Sequence, residues 1–170
     1  RKAKPAKIEL TRERLRQVLS YDPQTGDFTW LVKISRNITV GAKAGRITDH
    51  GYVSIGIDGS KYYGHRLAWF YTHGRWPTPG ADHKDLNRAN NKLDNLREAT
   101  ARQNMANRGA QTNNKLGIKG IRVRRSGFEA CIALDGTQIY LGTFKAIDDA
   151  IAAHAVASRQ AFGEYARVSL

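Results

Sequence analysis

The chain has 170 residues, 41% of them hydrophobic, with seven Tyr, five Phe and three Trp, which suits one ordinary domain or two small ones and excludes a disordered chain. Its formal charge of +13, from 28 Lys plus Arg against 15 Asp plus Glu, favours a polyanionic partner, either nucleic acid or an anionic membrane surface. No apolar run approaches the ~18 residues that span a bilayer, no basic amphipathic helix dominates, and no signal-like apolar stretch follows the basic "RKAKPAKIEL", so the membrane falls behind nucleic acid.

In chain order, residues 1–7 read as a basic tail. "ELTRERLRQVLSYD" places Leu10, Leu15, Val18 and Leu19 at helical spacing with Thr11 as the N-cap. "YDPQTGDFTW" supplies turn chemistry and then Phe28 and Trp30, two apart as on one strand face. Residues 41–65 alternate in short segments broken by glycine, and Asp58-Gly59 is a hairpin signal. "HRLAWFYTHG" reads as a short apolar helix ending at Gly74, followed by a "RWPTPG" loop. Beyond residue 110, "QTNNKLG" reads as a linker. Three alternating strands ("GIRVRRSG", "FEACIALDG", "TQIYLGTF") and an Ala-rich helix over "AIDDAIAAHAVASRQAFG" follow. That order describes a three-stranded antiparallel sheet packed on one helix, and the overall class is α+β. Cys131, the one cysteine, excludes an intramolecular disulfide and a Cys-rich zinc site and fits a reducing cytoplasm. Its place in an alternating strand marks it as a small core residue.

Between these halves lies "GADHKDLNRANNKLDNLREATARQNMANR", residues 80–108. It reads as strand, polar loop, helix, with "REATARQNMANR" made of good helix formers. A fold that returns the helix to the strand brings Asp82, His83 and Asn104 together. Carboxylate and amide oxygens are hard ligands for a magnesium-type ion, and a histidine beside one can take a proton from water near pH 7. Metal plus base is what phosphodiester hydrolysis requires. From spacing alone a solvated loop serves equally well: Asp82 capping a turn, His83 at the surface, and the asparagines forming Asx-turns.

"HRLAWFYTHGRWPTPGADHKDLNRANNKLDNLREATARQNMANR" resembles the HNH endonucleases of phages and mobile introns, closely over 65–108 and in outline from residue 8. The resemblance implies a ββα-metal core and a metal-dependent endonuclease that nicks or cleaves double-stranded DNA. His83 corresponds to the general base, Asp82 to a metal ligand, Asn95 to the residue holding the loop, and Asn104 to the second metal ligand. One divalent ion, magnesium first and manganese second, would bridge the scissile phosphate and the departing 3′ oxygen, leaving a 5′ phosphate. The pattern usually has glycine where this chain has Leu86, and an apolar residue where it has Lys84. If position 86 takes a positive φ, leucine costs on the order of 1 kcal/mol there. His65 is expected to cap its helix, with a phosphate contact second. Arg97 is expected either to clamp a phosphate or to be solvated. Asn87, Asn90 and Asn91 are expected only to shape the turn, and His50, His73 and His154 to be structural.

Residues 116–168, through "KGIRVRRSGFEACI", "YLGTF", "DDAIAAHAVAS" and "FGEYARV", resemble the plant APETALA2-type DNA-binding domain, which also occurs appended to phage HNH nucleases. This resemblance implies that Arg122, Arg124 and Arg125 contact DNA from the sheet while Leu141, Phe144 and Ile151 lie in the core. On a strand, Arg122 and Arg124 share one face, where arginines can meet guanine edges or phosphates, and Arg125 points oppositely unless a bulge turns it. The expected organisation is a tail over 1–7, a nuclease domain over 8–109, a linker over 110–116 and a DNA-binding domain over 117–170. Such a protein would act as a monomer in the cytoplasm of a phage-infected or prophage-bearing bacterium. The rival from another class is a non-catalytic, sequence-specific DNA-binding regulator.

Overall fold

The computed structural model describes residues 9–167, so the tail expected over 1–7 lies outside the described residues. Among them, four α-helices and four small antiparallel sheets form a mixed α/β fold. The chain divides into two compact units, Arg1–Glu98 and Ala99–Leu170. No helix of the described residues is long and apolar enough to cross a membrane.

In the first unit, α1 (Arg12–Val18) starts at Thr11, whose hydroxyl accepts a bond from the Arg14 amide at 3.1 Å. Leu15 and Val18 are buried from it, but Leu19, read from the sequence as helical, is extended and opens β1 (Leu19–Asp22). Pairing wins there because β2 (Asp27–Trp30) supplies a partner, with Leu19 opposite Trp30. Phe28 and Trp30 both face the core, as their spacing predicts. A second sheet runs β3 (Arg46–Ile47), β4 (Val53–Ile57), β5 (Ser60–Tyr63). Asp58 and Gly59 form its two-residue turn, both at positive φ (47° and 77°). Helix α2 (Gly64–His73) then ends at Gly74, whose φ of 73° makes it a left-handed C-cap. Leu15, Leu19, Phe28, Ile55 and Leu67 join these elements in one core.

The last elements of this unit are β6 (Ala81–His83) and β7 (Leu96–Glu98), paired antiparallel with Asp82 opposite Arg97 and His83 opposite Leu96. The helix expected across residues 97–108 is therefore shorter. Strand pairing takes the backbone of 96–98, and α3 (Ala101–Asn107) begins only after Thr100. Thr100 and Gln103 form a reciprocal capping box that marks this start.

Helix α3 belongs to the second unit. The Lys119 ammonium donates to the carbonyls of Met105 (3.0 Å) and Ala106 (2.5 Å), Arg102 pairs with Asp135 at 3.1 Å, and the Arg102 guanidinium lies over Phe162. These contacts lie within the unit that begins at Ala99. The sheet of this unit is β8 (Ile121–Arg124), β9 (Gly127–Leu134) and β10 (Thr137–Phe144), with β9 central and every pair antiparallel. Helix α4 (Ile147–Phe162) packs across it over Ile121, Ala130 and Ala150, with Leu141, Phe144 and Ile151 partly buried around them. Cys131 is a buried free thiol.

Candidate active site

The β6–β7 hairpin carries Asp82, His83 and Arg97, and the long loop between its strands is folded by asparagines. Asn95 accepts from the Asp85 amide (3.1 Å) and donates from Nδ2 to Asp85 Oδ1 and to the Asn90 carbonyl, both 2.9 Å. Its own carbonyl accepts from the Lys84 amide at 2.9 Å. Asn90 donates to the second carboxylate oxygen of Asp85 at 2.7 Å, and the Asn87 amide donates to the first at 2.8 Å. Partial burial acts to raise the Asp85 carboxyl, but these bonds outweigh it and hold the group below its ordinary value. Leu86 closes the turn onto the His83 carbonyl (3.0 Å) with φ at +66°. The left-handed conformation that suits glycine is thus kept by leucine at the cost of local strain. Lys84 is exposed and donates from Nζ to the Asp94 carbonyl at 2.7 Å.

Asp82 and His83 are both buried at the base of this loop. Arg97 donates from Nε and Nη2 to Asp82 Oδ2 at 3.2 and 3.0 Å. With side chains only 11% and 10% exposed, the two form an enclosed ion pair, in which Asp82 takes up the Nε and Nη2 donors of Arg97. Among the described residues no three His, Cys, Asp or Glu side chains cluster to hold a metal ion. The donors that suit one are of another kind. Asp82 offers a carboxylate and Asn104 an amide oxygen, each a hard donor of the kind a magnesium-type ion takes. Asn104 lies on α3, in the second unit.

His83 is held from several sides. Its Nε2 lies 3.2 Å from Asn91 Oδ1, an atom that can only accept, so this bond forms with the tautomer that carries its proton on Nε2. Asn91 is fully buried, and its backbone carbonyl accepts from the Tyr21 hydroxyl at 2.7 Å. Two glycines make room for it: a Cβ on Gly64 would stand 2.7 Å from Asn91 Nδ2, and one on Gly26 would stand 2.6 Å from the Asn91 carbonyl carbon. Against the His83 ring lies His65, edge to face at 4.9 Å between centroids, and Tyr52 borders both histidines at 5.4 and 6.1 Å. Burial pushes the His83 imidazole below its ordinary value, and the Arg88 charge pushes the same way. The bond to Asn91 and the charges of Asp85 and Asp82 pull against them.

His65 is not a helix cap. α2 has no side-chain cap bond, and His65 is buried with no hydrogen-bond partner for Nδ1 among the described residues. Burial, with the charges of His83 and Arg66, lowers its pKa to about 3, so the ring is neutral at physiological pH. Neither it nor Tyr52 and Asn91 was expected at the centre of the site.

Residues 62–106 match the family model described as HNH endonuclease. The matched segment runs from the end of β5 into α3 and contains Asp82, His83, Asn95, Arg97 and Asn104. It supports nuclease activity with DNA as the substrate. No curated protein and no solved structure matches the chain.

The arginines expected to bind DNA lie in the second unit. Arg122 is opposite Glu129 across the β8–β9 pair. Arg124 forks onto the same carboxylate at 2.8 and 2.9 Å, while Arg122 Nη1 is 3.9 Å from it. Arg125 is in the turn between β8 and β9, so strand alternation does not set its direction. Glu129 thus ties two of the three arginines to the sheet face, leaving both about half exposed.

Proposed function

We propose that the protein is a metal-dependent DNA endonuclease, with His83 as general base, Asp82 and Asn104 as ligands of one divalent ion, and Asn95 as the residue that fixes the catalytic loop. The observation that carries this reading is the bond between His83 Nε2 and Asn91 beside a buried carboxylate. A neutral imidazole that donates from Nε2 keeps its lone pair on Nδ1, the state a base needs before it takes a proton from water. His83 Nδ1 accepts that proton, the resulting hydroxide attacks phosphorus in line with the 3′ oxygen, and the P–O3′ bond breaks to leave a 5′ phosphate. Asp82 and Asn104 would hold a divalent ion, magnesium in the first instance, which would supply positive charge to the scissile phosphate and the departing oxygen. Asn91 and the His65 ring keep the base aimed, and Arg97 orients the Asp82 carboxylate and balances its charge.

The second unit supplies affinity in this scheme, with Arg122, Arg124 and Arg125 meeting phosphates or bases from an APETALA2-like sheet face. The net charge of +13 supports that role. The protein acts as a monomer, and one active site gives one nick per binding event.

Nicking of supercoiled plasmid with magnesium or manganese tests the reading. Wild type converts supercoiled to open-circular DNA, and His83→Ala binds without converting it. Wild-type binding with no nicking in either metal would reduce the protein to a DNA-binding regulator.

A further inference from the structure

The arginines of the first unit meet two kinds of partner. Arg97, Arg75 and Arg14 each fork onto a carboxylate, of Asp82, Glu98 and Asp58 respectively. Arg88, on the loop that joins β6 to β7, has no carboxylate partner among the described residues, yet its position is set from two sides. Its Nη1 donates to the His50 carbonyl at 2.9 Å, and its guanidinium lies 4.9 Å above the Tyr52 ring. Tyr52 is also the ring that borders His83 and His65. An exposed arginine therefore stands on the same aromatic platform as the proposed base. Among the described residues, its Nε and Nη2 have no acceptor.

That arrangement has a chemical consequence. A guanidinium laid over an aromatic face has already given up part of its hydration. Its planar fork offers two parallel donors, the geometry that fits two oxygens of one phosphate group. A carboxylate partner would have consumed that fork, as Asp82 consumes that of Arg97. We propose that Arg88 grips a phosphate of the DNA strand cut beside His83, with Tyr52 and the His50 carbonyl holding the guanidinium in place before DNA arrives. The placement beside His83 rests on the nuclease reading of the site, whereas the phosphate contact can be measured without it.

The test uses the full chain as wild type, Arg88→Ala, Arg88→Lys, Arg88→Gln and His83→Ala, with thermal melting to confirm folding and Gln standing in should the Ala variant melt early. In the first measurement, duplex binding is followed against salt without divalent metal. Removing one phosphate contact lowers the slope of log K against log salt by about 0.9, and Lys restores it. In the second, single-turnover plasmid nicking is measured at saturating protein. Arg88→Ala is expected to slow it about 100-fold, and Lys, a point charge without the fork, recovers only part of the loss. An unchanged salt slope in Arg88→Ala overturns the phosphate contact, whether or not wild type nicks. A lowered slope with wild-type nicking at saturation overturns its placement beside His83. Wild type that binds and never nicks sinks the nuclease reading instead, and the salt slope still decides the contact.

Discussion

The side chains of His83 and Asn91 meet at 3.2 Å in a space that stays open only because residues 26 and 64 are glycines. Asn91 is thus a tautomer lock and a packed core residue at once. Replacing it with Ala leaves His83 Nε2 without its acceptor and opens a hole between the two glycines. Stability should fall by about 1–3 kcal/mol, the cost of a buried polar group left unsatisfied. Single-turnover nicking should fall at least tenfold, with DNA binding retained. Asn91→Asp, which keeps the acceptor, should recover more activity than Asn91→Ala. Equal activity of Asn91→Ala and wild type would remove Asn91 from the site.

Asn95 makes three side-chain bonds within the loop, to Asp85 through both its amide and its carboxylate and to the Asn90 carbonyl. At about 1 kcal/mol net each, Asn95→Ala should cost roughly 3 kcal/mol in a urea melt. Asn95→Asp should be worse than its size suggests, because it turns a donor into a second carboxylate facing Asp85. The order Asn, then Ala, then Asp in urea midpoint is the expected result, and an Asp variant as stable as wild type would contradict it.

Both the α2 helix with its Gly74 stop and the Asp58-Gly59 hairpin were legible because local chemistry decides them. The same holds for the strands of the second unit, where turn glycines punctuate alternating runs. The helix expected from residue 97 failed at its first turn, because Leu96, Arg97 and Glu98 have a strand partner that propensity does not see. Within the site, Asp82, His83 and Asn95 stood out by motif. Asn91 did not, since nothing in "RANNKLDN" separates the amide that meets the histidine from its neighbour. Tyr52, just ahead of β4, and His65, on α2, reach the His83 ring from positions distant in sequence, and only the fold brings their rings together. Arg97 was legible as a cation but not as the partner of Asp82, which depends on the β6–β7 register.

Leu86 holds a φ of +66° that glycine would adopt without strain. Leu86→Gly relieves roughly 1–2 kcal/mol of left-handed strain, and restoring backbone freedom to the unfolded chain returns ~0.5–1 kcal/mol of that gain. The variant should match or slightly exceed wild type in stability and should nick DNA at the wild-type rate. Leu86→Val, β-branched at the same φ, should be less stable than either. A large loss on Leu86→Gly would mean that the leucine side chain, not the backbone, holds the turn.

Arg122 and Arg124 share Glu129, so they are presented as one unit. Changing Arg122, Arg124 and Arg125 together to Ala should weaken DNA binding and lower its salt slope by about 0.9 for each phosphate that the arginines neutralise. The nicking rate at saturating protein should remain. A triple variant that binds as wild type does would take the sheet face out of the DNA interface.

His65 gives the first unit a predictable response to acid. Its folded pKa of about 3 lies below the ordinary 6.5, chiefly because the ring is buried, so between these values the unfolded chain binds the proton and the folded one does not. Its contribution is whole above pH 6.5 and is lost as pH falls towards 3, at up to about 1.4 kcal/mol per pH unit. His65→Phe keeps a ring against His83 and removes the titration. Among the described residues Nδ1 has no hydrogen-bond partner, so the substitution gives up no bond at that atom. Urea melts at pH 7 and pH 4.5 should show wild type losing roughly 2 kcal/mol more than His65→Phe over that interval. Burial lowers His83, and His154 in the second unit, in the same direction; both residues are present in the two proteins, so the comparison reads the difference made at His65. Parallel losses in the two proteins would mean that His65 takes up its proton without unfolding the site.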